Sequence, residues 1–109
     1  MAQRKTTGAA IFEEKHMISI ILYLATNGPS RKIDIYEGVS SNPRMPDKLN
    51  ALESTGLVVQ YMDPVSRSTI VNLSDMGSQV ADLLMSVDKL IRTASPADVR
   101  SDLRPLREG

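Results

Sequence analysis

Cysteine is absent from the chain, and with it every disulfide, thiolate nucleophile and thiolate metal site. Histidine is nearly absent too. The lone His16 cannot build a multi-histidine metal centre and is expected at a polar position on a helix. No Gly-x-Gly-x-x-Gly run, Gly-Lys-Ser phosphate loop or Gly-x-Ser-x-Gly elbow occurs, so neither a metal, a cofactor nor an enzymatic activity is expected. Neither sign of charge is in excess: thirteen Lys plus Arg offset thirteen Asp plus Glu, and the net basic charge typical of nucleic-acid binders is missing. The longest apolar run, Met17 to Ala25, is broken by Ser19 and Tyr23 and falls far short of the roughly 18 residues of a membrane span. Met1 to Lys5 lead into polar Thr6, Thr7 and Gly8 instead of an apolar segment, which argues against a signal peptide and for a cytoplasmic location.

What is present is one domain's worth of chain. The 109 residues have an ordinary globular share of hydrophobic (41%) and charged (24%) residues, enough for a single core. The composition divides the chain into a flexible arm over 1–10 carrying Arg4 and Lys5, a folded domain over 11–92 and a tail over 93–109. In the tail, Ser95 to Asp98 could cap a further short helical stretch, while Pro105 and Gly109 suggest fraying.

Apolar residues recur at helical spacing from Ile11 through Ile18, Ile21, Leu22 and Ala25, with Phe12, Met17, Ile20 and Leu24 widening the stripe. This predicts a first helix over 11–26, apolar around most of its girth and stopped by Asn27-Gly28-Pro29. Ser30 is expected to cap a short second helix from Arg31 to about Gly38, with Ile33, Ile35 and Tyr36 turned inward. A third helix is expected to open with Asn42 as cap and Pro43 at its first position, to tolerate Pro46, and to end at a left-handed Gly56. Met45, Leu49 and Leu52 form its apolar stripe, and Arg44, Asp47, Lys48 and Ala51 lie on its other face.

The period then becomes extended. Leu57 to Met62 and Thr69 to Leu73 read as two strands of a hairpin joined by the loop Asp63 to Ser68. Ser74 can cap a last helix in which Val80, Leu83, Leu84, Val87, Leu90 and Ile91 trace one face expected to be buried. Asp75 near its start and Lys89 and Arg92 near its end suit the helix dipole.

The order helix, helix, helix, strand, strand, helix makes a mainly α (α+β) chain that resembles the winged helix-turn-helix fold. The run from Lys48 to Val58, the hairpin Arg67 and the stretch Leu73-Ser74-Asp75-Met76-Gly77 are similar to small bacterial and archaeal regulators of the MarR, ArsR and PadR kind. The resemblance implies a sequence-specific double-stranded DNA-binding transcriptional regulator with its third helix in the major groove. It also implies that the hairpin wing lies on an adjacent groove or on the backbone.

On that reading Asn42, Arg44, Asp47 and Lys48 project from the half of the third helix that reaches base edges. Arg44 can bridge two guanine acceptors and Lys48 can meet a phosphate, while Asp47 either accepts from cytosine N4 or repels. Arg67 and Ser68 at the hairpin tip, and Arg31 and Lys32 at the start of the second helix, complete the candidate DNA contacts. Between Ser30 and Asn72, however, Asp34, Glu37, Asp47, Glu53 and Asp63 match the five basic residues in number. A winged-helix module that binds protein and no specific DNA is therefore the alternative. One reading head would bind only in the non-specific range of about 10⁻⁴ to 10⁻⁶ M, which predicts a homodimer paired through Ile11–Ala25 and Ser78–Arg92.

Overall fold

The structure, a computed structural model, describes residues 8–94. The expectations for Arg4, Lys5 and the stretch after Ala94 lie outside the described residues. Asn27 ends the helix α1 (Met17–Asn27), which is preceded by a short 3₁₀ helix over Gly8–Glu13. The expected continuous helix over 11–26 is thus corrected to two pieces. Glu13, Glu14, Lys15 and His16 interrupt the apolar stripe, and His16 takes a left-handed backbone with φ 74° instead of a place on a helix. The resulting turn lets Ile11 and Phe12 pack against the same core as Met17, Ile20, Ile21 and Leu24, which a straight helix could not do.

The chain continues through β1 (Ser30–Arg31) into α2 (Lys32–Gly38). Ser30 is not the cap of α2. It is buried in the two-residue strand, its hydroxyl donating to the Gly28 carbonyl at 2.9 Å. Arg31 takes the capping position, and Asp34 Oδ2 accepts its backbone N–H at 3.2 Å, so the acidic side chain reaching back closes the helix start. Ile35 is buried and Tyr36 half-buried as expected, whereas Ile33 faces outward.

The third helix, α3 (Met45–Thr55), starts later than Asn42-Pro43 predicts. Asn42 instead folds a turn ahead of it, accepting the Arg44 backbone N–H on Oδ1 at 2.8 Å, and Arg44 holds the cap position. Pro46 falls in the first turn, where no amide partner is needed. Met45, Leu49 and Leu52 are fully buried. Gly56 ends the helix with φ 92° and ψ 10°, a left-handed conformation that passes the chain into β2 (Val58–Met62).

β2 pairs antiparallel with β3 (Thr69–Leu73), Val58 opposite Leu73 and Gln60 opposite Val71. The turn between them is closed by the Asp63 N–H donating to the Ser68 carbonyl at 2.8 Å. Ser66 N–H donates to the Asp63 carboxylate at 2.7 Å and is the main reason that group lies below the ordinary aspartate range. On its other side β3 pairs with β1, Ser30 opposite Val71 and Arg31 opposite Ile70. The expected two-stranded hairpin is thus a three-stranded sheet of order β1-β3-β2. The added pairing lies beyond local reading because its partners are some forty residues apart in the chain.

Ser74 opens α4 (Asp75–Thr93). Its hydroxyl accepts from the Gly77 N–H at 2.9 Å and donates to the Gly56 carbonyl, while its own N–H donates to the Leu57 carbonyl at 3.0 Å. One serine thereby joins the end of α3 to the start of α4. The stripe expected to be buried on α4 turns mostly outward: Val80 and Leu84 rest against the core, but Leu83, Leu90 and Ile91 are 68%, 69% and 70% exposed. The helix is seated through Gly77 and Ala81 instead. The architecture is a winged helix in which α1, α2 and α3 pack around one aliphatic core capped by the sheet and the start of α4.

Candidate nucleic-acid interface

The short α2, the turn at Ser40 to Arg44 and α3 form a helix-turn-helix. Because Met45, Leu49 and Leu52 all point into the core, the opposite face of α3 is committed to the surface. That face carries Arg44 and Asp47, each 75% exposed, with Arg44 Nη1 and Asp47 Oδ2 3.7 Å apart. The separation is that of a loose surface pair, and the acid sits in the first turn where the helix dipole favours it.

Lys48 occupies a different setting from the one its sequence position suggests. Its side chain is only 12% exposed, and its Nζ lies 3.6 Å from Oε1 of Glu14, in the segment just before α1. Glu14, Arg44, Asp47, Lys48 and Ala51 together line a cleft beside α3. Nothing in the local sequence around Lys48 points to Glu14. The signal would have been the break in the apolar stripe at Glu13 to His16, which turns Glu14 back toward α3.

Arg31 is held by Asp34 through two bonds, Nη2 to Oδ1 at 2.8 Å and Nε to Oδ2 at 3.1 Å. The pairing raises the arginine above its ordinary value and holds the Asp34 carboxyl below its own, in both cases chiefly through the shared side-chain hydrogen bonds. Lys32, the next residue, is half-buried and forms no ion pair with any described residue. Asn42 has its side-chain oxygen engaged by the Arg44 N–H.

At the tip of the hairpin Arg67 is exposed and forms no ion pair with any described residue. Its backbone is left-handed with φ 66°, and its N–H donates to the Asp63 carbonyl at 2.8 Å. Ser68 contributes mainly backbone: it donates its N–H to Ser66 Oγ at 3.2 Å and offers its carbonyl to Asp63. The residue is half-buried.

A further polar group was not apparent from sequence. Gln60 Nε2 donates to Asn50 Oδ1 at 2.9 Å and to Glu53 Oε1 at 2.8 Å, and Glu53 Oε2 accepts the Gln60 backbone N–H at 3.3 Å. The network fastens the surface of α3 to the outer edge of β2. It also occupies the Glu53 carboxylate, so this acid is directed at the wing. The candidate residues thus fall in three sets, with Asn42, Arg44, Asp47 and Lys48 around one end of α3 and Arg67 and Ser68 on the wing. Arg31 and Lys32 stand at the junction of β1 and α2.

No helix among the described residues is long and apolar enough to cross a membrane, and no cluster of metal-ligating side chains occurs among them. No protein-family model matches the sequence, and no curated protein matches it either. Solved structures do match in fold. A protein of Porphyromonas gingivalis W83 described as a MarR-family regulator superposes with a TM-score of 0.69 at 18% identity, over 87% of this chain and 98% of that one. A MarR-like transcriptional regulator of Thermotoga maritima gives 0.58 at 24% identity, over 87% and 72% of the two chains. AbfR in its overoxidized form bound to DNA gives 0.58 at 21%, over 93% and 74%. At these identities the likeness establishes a shared architecture: this chain has the winged-helix fold in the form adopted by MarR-type regulators.

Proposed function

We propose that the protein is a transcriptional regulator that binds double-stranded DNA sequence-specifically, working in the cytoplasm as a homodimer. The observation that carries the reading is the exposed pair Arg44 and Asp47 at the start of a helix whose opposite face is fully buried. That is the arrangement in which a helix enters a major groove with its N-terminal half against base edges. Arg44 is the base-reading residue, suited by its planar fork to two acceptors of a guanine. Arg67 on the wing reaches an adjacent groove or the backbone, and Lys32 meets a phosphate near the start of α2. Solved relatives in fold that are bound to DNA support the same assignment.

The apolar outer stripe of α4, where Leu83, Val87, Leu90 and Ile91 are exposed in a single chain, supports dimerisation. Together with Ile18 on α1 they supply the surface that a second copy would cover. Two reading heads then engage half-sites about one helical turn apart.

A second reading, a winged helix that binds protein and not specific DNA, draws on one observation. Arg31, Arg44 and Lys48 each have a carboxylate partner, leaving little unbalanced positive charge on the helix-turn-helix. The decisive experiment is selection from a random-sequence duplex pool, followed by titration of the recovered sequence at several salt concentrations. An enriched inverted repeat with a log–log salt slope near −5 to −7, about three or four phosphates per subunit, supports the regulator. Recovery of no enriched sequence supports the protein-binding module.

A further inference from the structure

We propose that Glu14 acts as an internal stand-in for a DNA phosphate, holding Lys48 in the free protein and exchanging it for a phosphate oxygen when duplex docks on α3. The inference rests on the DNA-binding reading and assigns to that site a residue outside the helix-turn-helix.

The geometry separates Lys48 from the other cations of the surface. Arg44 and Asp47 lie on the same helix, both three-quarters exposed, so Arg44 can leave its partner by rotating about its own side-chain bonds. The Lys48 side chain is only 12% exposed, whereas that of its partner Glu14 is 63% exposed. Both groups line one cleft with Arg44, Asp47 and Ala51, so a phosphate entering it competes with the Glu14 carboxylate for the Lys48 ammonium. A carboxylate and a phosphate present the same chemistry to a lysine, an anionic oxygen with which the ammonium can pair. Glu14 also comes from the segment that turns at His16, where the left-handed backbone ends one element and starts the next. It can thus withdraw without disturbing the buried face of α1.

Two consequences distinguish this role from a plain surface ion pair. Neutralising Glu14 should tighten duplex binding, because Lys48 no longer has to leave a charged partner and a fixed negative charge is removed from beside the DNA. The gain should also depend on Lys48 itself.

The test is a double-mutant cycle of Glu14→Gln and Lys48→Gln, each read as duplex affinity across a salt series, with Asp82→Asn as a control of equal charge change on α4. Asp82 is exposed and makes no ion pair with a described residue. The expected result is that E14Q binds duplex about threefold to tenfold more tightly than the wild type at low salt. D82N should bind nearly as the wild type does, and the E14Q gain should vanish in the double variant. Circular dichroism melts establish that each variant is folded, and because K48Q removes a covered side chain, K48R with E14Q provides a second arm that must keep the gain. Binding of E14Q no tighter than that of D82N, or weaker than wild type, overturns the proposal and leaves Lys48 a brace between α3 and the segment before α1. If neither the wild type nor E14Q binds any duplex, the DNA-binding reading itself has failed, and the inference with it.

Discussion

Gly77, in the first turn of α4, lies so close to the Leu57 carbonyl that a methyl group on its α-carbon would overlap the oxygen, with Leu73 Cδ2 also only 3.3 Å from that position. The obstacle is backbone, which has no rotamer to yield. Gly77→Ala is therefore expected to destabilise the fold by about 2–4 kcal/mol, more than ordinary overpacking of a core side chain. Urea denaturation checks it, and a loss below about 1 kcal/mol would mean that α4 can slide.

Leu52 is fully buried on the inward face of α3, beside Leu49. Its truncation to alanine leaves a cavity the aliphatic core cannot fill, and the expected loss is about 2–5 kcal/mol. The unfolding midpoint should fall while the dependence on denaturant stays unchanged.

Arg44 is expected to behave in the opposite way. Its only ion pair among the described residues is the 3.7 Å contact with Asp47 at an exposed site, so Arg44→Ala should leave the melting temperature within about 2 °C. On the proposed function it should weaken the selected duplex by about tenfold or more, the worth of a bidentate base contact. A sharp fall in melting temperature would make Arg44 a structural residue.

Asp34 and Asp63 are both held below the ordinary aspartate range, Asp34 chiefly by the Arg31 side chain and Asp63 chiefly by the Ser66 backbone N–H. A carboxyl whose folded value is depressed contributes stability that is complete above its unfolded value and is lost as pH falls through the folded one. Stability should thus decline from about pH 4 downward, and D34N with D63N should flatten that decline. Thermal melts between about pH 2 and 7 measure it.

The outward stripe of α4 makes a prediction about assembly. Leu83→Glu combined with Leu90→Glu places charges on the exposed apolar face without touching Gly77 or Ala81, which seat the helix. Sedimentation should show a dimer for the wild type and a monomer for the double variant. A dimer that survives both charges would place the interface elsewhere.

The elements legible in the sequence are those whose signals are local. The buried triplet Met45, Leu49 and Leu52 with Gly56 behind it, the hairpin strands, and the Ser74 cap are each written within a few residues. What was not legible depends on partners far along the chain. Ser30 looks like a helix cap until Val71 arrives to pair with it, and Lys48 looks unpaired until Glu14 comes within 3.6 Å of its ammonium. The period of α4 identified an apolar face correctly, but periodicity cannot say whether the chain itself covers that face. The exposed Asp47 was legible because helix geometry puts it opposite Met45, Leu49 and Leu52.

The two rungs that join Ser30 to Val71 and Arg31 to Ile70 give the molecule a mechanical property. They clamp the base of the wing to the entry of α2, so the hairpin is a lever with its fulcrum at those rungs. From Ile70 the arm out to Arg67 is about 10 Å long, so a tilt of about 5° at the rungs moves the tip by only about 1 Å. Wing and helix-turn-helix are therefore the two jaws of one caliper, joined by backbone hydrogen bonds, and the distance between the jaws is set by the sheet.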